Sequence, residues 1–303
     1  MKLLLSNTNL LQEPSKQRLR EAGYQIFEDP QAVALDEIDV LVDQGLMRQY
    51  HFDQFPKLKF LQLMSAGYDY LNLDQVRKQK TILCNGRDLY SIPIAEFVVA
   101  RILEHLKNLS AIQEDQRHKH WEKRLELGEL HGRRALVLGT GSIGHEIMVR
   151  LQAFGVSVDG VNSNGRPIPG FVSTYALETV HQNLATYDYV INALPLNENT
   201  RKYVSTPFIQ AMKEGAVLVN IGRGQTMDES CLMDCASHLG ALILDVFDAE
   251  PLPETSPLWT LENAMISSHT SFGSTENKKR AETLYTTNCL NFIQNRPLLN
   301  RIL

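Results

Sequence analysis

A chain of 303 residues exceeds one ordinary domain and predicts two. Hydrophobic residues make up 43% and charged residues 21%, a globular balance that excludes a disordered chain. The formal net charge of −5 gives no electrostatic ground for binding nucleic acid or a membrane surface.

The opening Met1-Lys2-Leu3-Leu4-Leu5 faintly resembles a signal peptide, but its apolar run stops at Ser6-Asn7-Thr8-Asn9, too early for one. It reads instead as a first strand, residues 2–6. A helix follows over 14–22, with Ser15 near its start, and further strands fall at 24–28, 38–43, 60–64 and 81–85. Strands separated by helical stretches imply βαβ units and a parallel sheet. After Met64 comes a small-residue loop, Ser65-Ala66-Gly67-Tyr68-Asp69, at the carboxyl end of a strand. Parallel sheets place ligands there, and exposed backbone N–H groups suit an anion such as a carboxylate. A long helix over 92–108, with Pro93 in its first turn, suits a connector between domains. The polar stretch 113–130 carries Trp121 and an H-x-H at His118 and His120. The lysine and arginine beside those histidines favour a solvated helix face over a metal site.

A second βα series begins near Arg133. Its strands are expected at 135–138, 157–161, 189–194, 216–221, 242–246 and 264–267, the pattern of a doubly wound sheet. The first strand runs into Leu138-Gly139-Thr140-Gly141-Ser142-Ile143-Gly144 and a helix to about residue 154. Strand, G-x-G-x-x-G and helix in that order form a dinucleotide fingerprint. Gly139 permits the turn, Gly141 admits a pyrophosphate close to the backbone, and Gly144 lets helix pack on strand. Unpaired N–H groups and the helix dipole then favour the phosphates. A helical segment over 274–295 is expected to return to the first domain. The fold expected is α/β with two doubly wound parallel-sheet domains: a Rossmann domain, 99–272, inserted into a flavodoxin-like substrate domain, 1–98 plus 273–303. Cys84, Cys231, Cys235 and Cys289 match no disulfide framework or metal spacing, so the chain reads as reducing and cytoplasmic.

Three polar residues lie just beyond late strands of the second sheet: Arg223, Glu250 and His269. An arginine fork binds a carboxylate bidentately. An imidazolium can protonate a carbonyl oxygen as that oxygen gains charge, and a carboxylate beside an imidazole orients the ring. Taken singly, each residue has a bland reading as loop cap, solvated turn or structural histidine. Their shared topological position joins them.

These residues and their surroundings resemble the D-isomer-specific 2-hydroxyacid dehydrogenases over nearly the whole chain. Alongside the glycine turn, the motifs are Ala193-Leu194-Pro195-Leu196, Val219-Asn220-Ile221-Gly222-Arg223-Gly224, Leu244-Asp245-Val246-Phe247, Glu250-Pro251-Leu252-Pro253 and Ser256-Pro257-Leu258-Trp259. The resemblance implies that Arg223 binds the substrate carboxylate and carbonyl, His269 is the acid or base, and Glu250 orients His269. It implies that Ala66, Gly67 and Tyr68 form a carboxylate-binding backbone segment and that Asp245 contacts the nicotinamide carboxamide. Pro195, Thr200, Ile221 and Gly222 fall on cofactor-lining positions, as do Ser142 and Ile143 in the turn. The long connector helix and the Trp121 stretch read as an assembly surface, and the resemblance implies a homodimer. Ser268 departs from the family, which usually has proline before the histidine, and the change loosens that loop. In length, and in lacking a regulatory tail, the chain looks more like the glyoxylate/hydroxypyruvate reductases than the longer phosphoglycerate dehydrogenases.

The cofactor turns on the end of the second fingerprint strand, where an NAD site usually places an acid for the ribose 2′-OH. Here the residue is Asn162, followed by Ser163, Asn164 and Arg166, and Asp159 lies three residues too early. A carboxylate about 4 Å from a 2′-phosphate costs roughly 4 kcal/mol at an effective dielectric of 20. Its absence is permissive for NADP(H), which is the expected cofactor, with NAD(H) as the alternative. The activity expected is NADPH-dependent reduction of a small 2-oxo acid to its D-2-hydroxy acid in the cleft between domains. The alternatives are an NAD-dependent phosphoglycerate-type dehydrogenase and a non-catalytic nucleotide-sensing protein. A methyltransferase-like domain explains neither the Arg–Glu–His set nor the first sheet.

Overall fold

Short apolar strands, nearly all returned to the same sheet edge by a helix or helical turn, pair side by side in one direction. The computed structural model describes residues 1–303, and every strand pairing in it is parallel. The chain forms two units, Met1–Tyr90 with Ser274–Leu303, and Ser91–Gly273.

The first unit holds β1 (Lys2–Leu5), β2 (Gln25–Phe27), β3 (Val40–Asp43), β4 (Phe60–Leu63) and β5 (Ile82–Cys84), in the order β2-β1-β3-β4-β5. This is the flavodoxin-like order, with its switch point between β1 and β3. Alternate residues of the strands point to opposite faces. Leu3, Leu5, Val40, Val42 and Phe60 pack with Leu19, Tyr285 and Cys289 on one side. Leu4, Leu41, Leu61 and Leu63 pack with Phe55 and Val76 on the other. Tyr285 and Cys289 belong to the helix Asn277–Ile293, which brings the end of the chain back onto this sheet.

The second unit holds β6 (Arg134–Leu138), β7 (Ser157–Asn162), β8 (Thr174–Ala176), β9 (Tyr189–Asn192), β10 (Val217–Asn220), β11 (Ala241–Leu244) and β12 (Ala264–Ile266), ordered β12-β11-β10-β9-β6-β7-β8. The glycine turn follows β6, the interior strand beside β9 at which the order reverses. Six strands were expected, and β8 is the seventh. Its three residues carry too little periodicity to stand out beside Gly165, Pro167, Pro169 and Gly170. The connector helix comes out as Ser91–Leu106, followed by a second helix, Leu109–Arg117. Asn108 breaks between them in the left-handed region, at φ 50°. His118 caps the end of the second helix, and residues 118–130 contain neither helix nor strand. The expected boundary at 98/99 lies inside Ser91–Leu106, whereas the units divide at Tyr90. The helix is tied to the fingerprint helix Ser142–Ala153 through Ser91 Oγ, 3.1 Å from Ser142 Oγ, and through Glu96 and Arg150, 3.5 Å apart.

One buried polar knot secures the first unit. Asn288, fully buried, donates to Gln62 Oε1 (2.7 Å) and Leu299 O (2.9 Å) and accepts from Leu299 N (2.8 Å). Gln62 in turn donates to the carbonyls of Leu63 and Asn85. Asn288→Leu strands these groups without water, and each such group costs ~1–3 kcal/mol. Urea unfolding of the variant is expected to show a loss of about 2–5 kcal/mol in stability.

Candidate active site

The glycine turn has the geometry its residues predict. Gly139 sits at φ 105°, which a residue with a Cβ adopts only under strain. A Cβ on Gly144 would lie 1.9 Å from Gly139 O, so helix and strand approach here only through glycine. Gly141 faces open space, and the N–H groups of Ser142, Ile143 and Gly144 precede the first helical bond, His145 N to Gly141 O. Open space over unpaired donors at a helix N-terminus fits the pyrophosphate of a dinucleotide.

At the end of β7, Asn162 donates from Nδ2 to Arg166 O (2.8 Å) and accepts from Asn164 N (3.2 Å). Asn164 Oδ1 accepts from Arg166 N (3.2 Å), so residues 162–166 form a self-latched loop. No Asp or Glu occurs from Gly160 to residue 177. Asp159 is buried and committed elsewhere: its Oδ2 accepts from Arg134 Nη2 (2.9 Å) and from the Tyr187 hydroxyl (2.8 Å). Thr200 is buried too, its hydroxyl donating to Pro195 O (2.6 Å) and accepting from Asn197 N (2.8 Å). That pair shapes the loop after β9.

Arg223 leaves the end of β10 on a loop held from beneath by residues the sequence reading passed over. Asn192 and Asn220 end neighbouring strands in register, and both are fully buried. Asn192 Nδ2 donates to Asn220 Oδ1 (3.1 Å) and to Thr226 Oγ1 (2.7 Å). Asn220 Oδ1 also accepts from Gly222 N (3.3 Å), and Thr226 Oγ1 donates to Arg223 O (2.6 Å). A polar residue closing each of two apolar strands was the available signal. A Cβ on Gly222 would come 2.7 Å from Leu194 O, so this loop and the one after β9 touch backbone to backbone.

Glu250 and His269 come together. Glu250 Oε2 lies 2.8 Å from His269 Nδ1, while Oε1 accepts from Phe247 N (3.0 Å), which fixes the carboxylate. The His269 side chain is 38% exposed, and its ring meets Phe272 edge-on at 5.8 Å. His269 holds φ 52°, in the left-handed region. Asp245, fully buried, secures that conformation. Its carbonyl accepts from His269 N (2.8 Å), its Oδ1 from Ser267 Oγ (2.6 Å) and Thr270 N (2.9 Å), and its Oδ2 from Ser271 N (3.0 Å). The restraint that a proline at position 268 would bring is replaced by these bonds. Asp245, which the resemblance aims at the nicotinamide, therefore also builds the histidine loop.

In the first unit, residues 65–68 form the loop after β4. Its carbonyls are engaged, Gly67 O by Ser65 Oγ (2.7 Å) and Ala66 O by Asn85 Nδ2 (2.6 Å). The N–H groups of Ala66, Gly67 and Tyr68 bond to nothing in the protein. Three consecutive free donors are suited to an anion.

Sheet order, glycine turn and an acid–imidazole pair at the strand ends define a dinucleotide-dependent oxidoreductase. The family described as "D-isomer specific 2-hydroxyacid dehydrogenase, NAD binding domain" matches residues 99–271. A family protein of this kind from Aeromonas salmonicida superposes with a TM-score of 0.85 at 30% identity, covering 99% of this chain and 98% of that one. Phosphoglycerate dehydrogenase from Lactobacillus plantarum gives a TM-score of 0.60 at 29% identity, with all of both chains covered. The human glyoxylate reductase/hydroxypyruvate reductase is 28% identical over 249 residues, 80% of this chain and 76% of that protein. The chain belongs to the D-isomer-specific 2-hydroxyacid dehydrogenase family.

A further carboxylate braces the acid–imidazole loop. Glu229 accepts from Asp248 N, and burial, with Asp248 and Glu250 adding their charges, pushes its carboxyl above the usual range. A carboxyl raised in the folded state binds its proton more tightly there, so its ionisation lowers stability as pH rises through the folded value. Glu229→Gln keeps the acceptor and removes the charge. Thermal unfolding is expected to show a higher Tm for the variant at neutral pH and no difference at about pH 3, below the unfolded carboxyl's range. A variant that is less stable at neutral pH contradicts this account.

Proposed function

We propose that this dehydrogenase reduces a small 2-oxo acid, of the glyoxylate or hydroxypyruvate kind, to the D-2-hydroxy acid with NADPH. The observation that carries the reading is the 2.8 Å contact of Glu250 with His269 Nδ1 on the loop after β12. With Nδ1 engaged, Nε2 is the atom left to hand a proton to the carbonyl oxygen, and the Glu250 carboxylate stabilises the cationic ring. Arg223 is assigned the substrate carboxylate and carbonyl, and the donors of Ala66, Gly67 and Tyr68 are assigned the carboxylate by the same reading. A bound nicotinamide supplies the hydride for the carbonyl carbon. Its pyrophosphate is assigned to Gly139, Gly141, Ser142, Ile143 and Gly144, and its remaining contacts to Pro195, Thr200, Ile221, Gly222 and Asp245.

The choice of NADPH over NADH rests on the loop after β7. Asn162 replaces a charge that would repel a 2′-phosphate, and Asp159 is held by Arg134 and Tyr187. Ser163, Asn164 and Arg166 offer donors there. Two further proposals accompany this reading. Four buried, unbridged cysteines support a reducing, cytoplasmic setting. Trp121 and Leu125, 89% and 85% exposed on the stretch beyond the helix Leu109–Arg117, support a homodimer. No helix is long and apolar enough to cross a membrane.

The test follows near-ultraviolet absorbance of the reduced cofactor with purified protein and glyoxylate or hydroxypyruvate, NADPH beside NADH. Faster oxidation of NADPH is expected. Faster oxidation of NADH overturns the cofactor assignment alone. If neither is consumed across a panel of 2-oxo acids while cofactor still binds, a nucleotide-sensing protein replaces the reductase. His269→Ala is expected to lower kcat/KM by at least ~100-fold. Restoring an acid with Asn162→Asp is expected to move the NADPH/NADH ratio of kcat/KM toward NADH by about 10-fold or more.

A further inference from the structure

The first unit carries an arginine that no step above employs. Arg48 closes the 3-10 turn Leu46–Arg48 after β3, one of the two strands that flank the switch point of the sheet. Asp43 and Leu63 are register partners, so the loops after β3 and β4 leave the same edge side by side. The turn is held in place: Asp43 Oδ1 accepts from Gly45 N (3.0 Å), Leu46 N and Met47 N, and Gly45 takes φ 104°. Leu46 and Met47 are buried beneath it.

This turn places the Arg48 guanidinium over the Tyr70 ring, its Cζ 4.1 Å from the centroid. The Tyr70 hydroxyl lies 3.3 Å from Ser65 Oγ, and that hydroxyl donates to Gly67 O. Arginine, ring and the donor loop 66–68 are therefore one connected assembly. The guanidinium forms no ion pair and no hydrogen bond. A guanidinium seated over a ring and without other partners keeps its N–H donors available for a planar carboxylate, and the contact reduces the freedom lost on binding.

We propose that Arg48 receives a second, distal carboxylate, so that the preferred substrate is a 2-oxo dicarboxylic acid. The proposal rests on the reading of residues 66–68 as the receptor of the first carboxylate. A carboxylate is favoured over a phosphate by Asp43. That side chain is buried beneath the turn that carries Arg48, and its negative charge repels a doubly charged phosphate more than a singly charged carboxylate.

The experiment compares matched substrates by steady-state kinetics in the wild type, Arg48→Gln and Arg48→Lys: pyruvate against oxaloacetate, which differ by one carboxylate, and hydroxypyruvate against its 3-phosphate. The oxaloacetate/pyruvate ratio of kcat/KM is expected to exceed unity in the wild type. It should fall about 10- to 100-fold in Arg48→Gln, with Arg48→Lys between, because lysine lacks the fork. An unchanged ratio overturns the proposal, and so does a fall confined to the phosphorylated pair, which would assign Arg48 a phosphate. Failure to reduce any 2-oxo acid would defeat the reductase reading instead. Calorimetry with succinate then decides Arg48 separately: binding about 10-fold weaker in Arg48→Gln sustains the distal site, and equal binding removes it.

Discussion

A carboxylate with no access to water sits at the end of β11, and the loop that carries His269 is assembled around it. Burying such a charge costs several kcal/mol unless hydrogen bonds replace its hydration. Asp245 obtains them from Ser267, Thr270 and Ser271, residues on both sides of His269. The need to satisfy the carboxylate and the need to hold the histidine are thus met by the same bonds. They keep His269 at φ 52°, a region that non-glycine residues occupy only when their surroundings impose it. Glu250 completes the arrangement from the same connection, one oxygen on the ring and the other on Phe247 N.

The same solution recurs one strand over. Asn192 and Asn220 are fully buried at the carboxyl ends of β9 and β10, where amides are needed because the adjoining loops leave backbone donors without ladder partners. Their side chains take up Leu194 N and Gly222 N and, through Thr226, hold the Arg223 carbonyl. Apolar strands supply the rigid platform, and polar residues at the strand ends convert it into set loop geometry. In the first unit Asp43 plays this part for the turn that carries Arg48. Rigid strand ends under short, latched loops are what oriented proton and charge chemistry requires.

The loop after β7 illustrates how one side chain latches a turn at the end of a strand. Asn162 latches its loop through both ends of its amide, and an aspartate there could accept from Asn164 N but could not donate to Arg166 O. The nearby Asp159, which by distance along the chain looks available, is drawn into a buried contact with Arg134 and Tyr187. Position in sequence places it close to the end of β7, and the direction of its side chain takes it into that buried contact instead.

What the sequence by itself determined was the pattern of elements and the residue types at strand ends. Alternating apolar strands and helices dictate parallel sheets, and G-x-G-x-x-G after β6 dictates a turn that only glycine permits. Arg223, Glu250 and His269 stand out in the sequence because each follows an apolar run at the carboxyl edge. The short β8 does not, since three residues carry almost no periodicity, nor does the second helix Leu109–Arg117, whose mostly polar residues merge with the polar stretch that follows. Only the tertiary structure decided which polar residues are partners. The pairing of Glu250 with His269, the hold of Asp245 on four residues that follow it by 22 to 26 positions, and the seating of Arg48 over Tyr70 all depend on neighbours brought together by sheet register. Periodicity records which face a residue takes, but hydrogen bonds between loops depend on distances that exist only once the strands have paired.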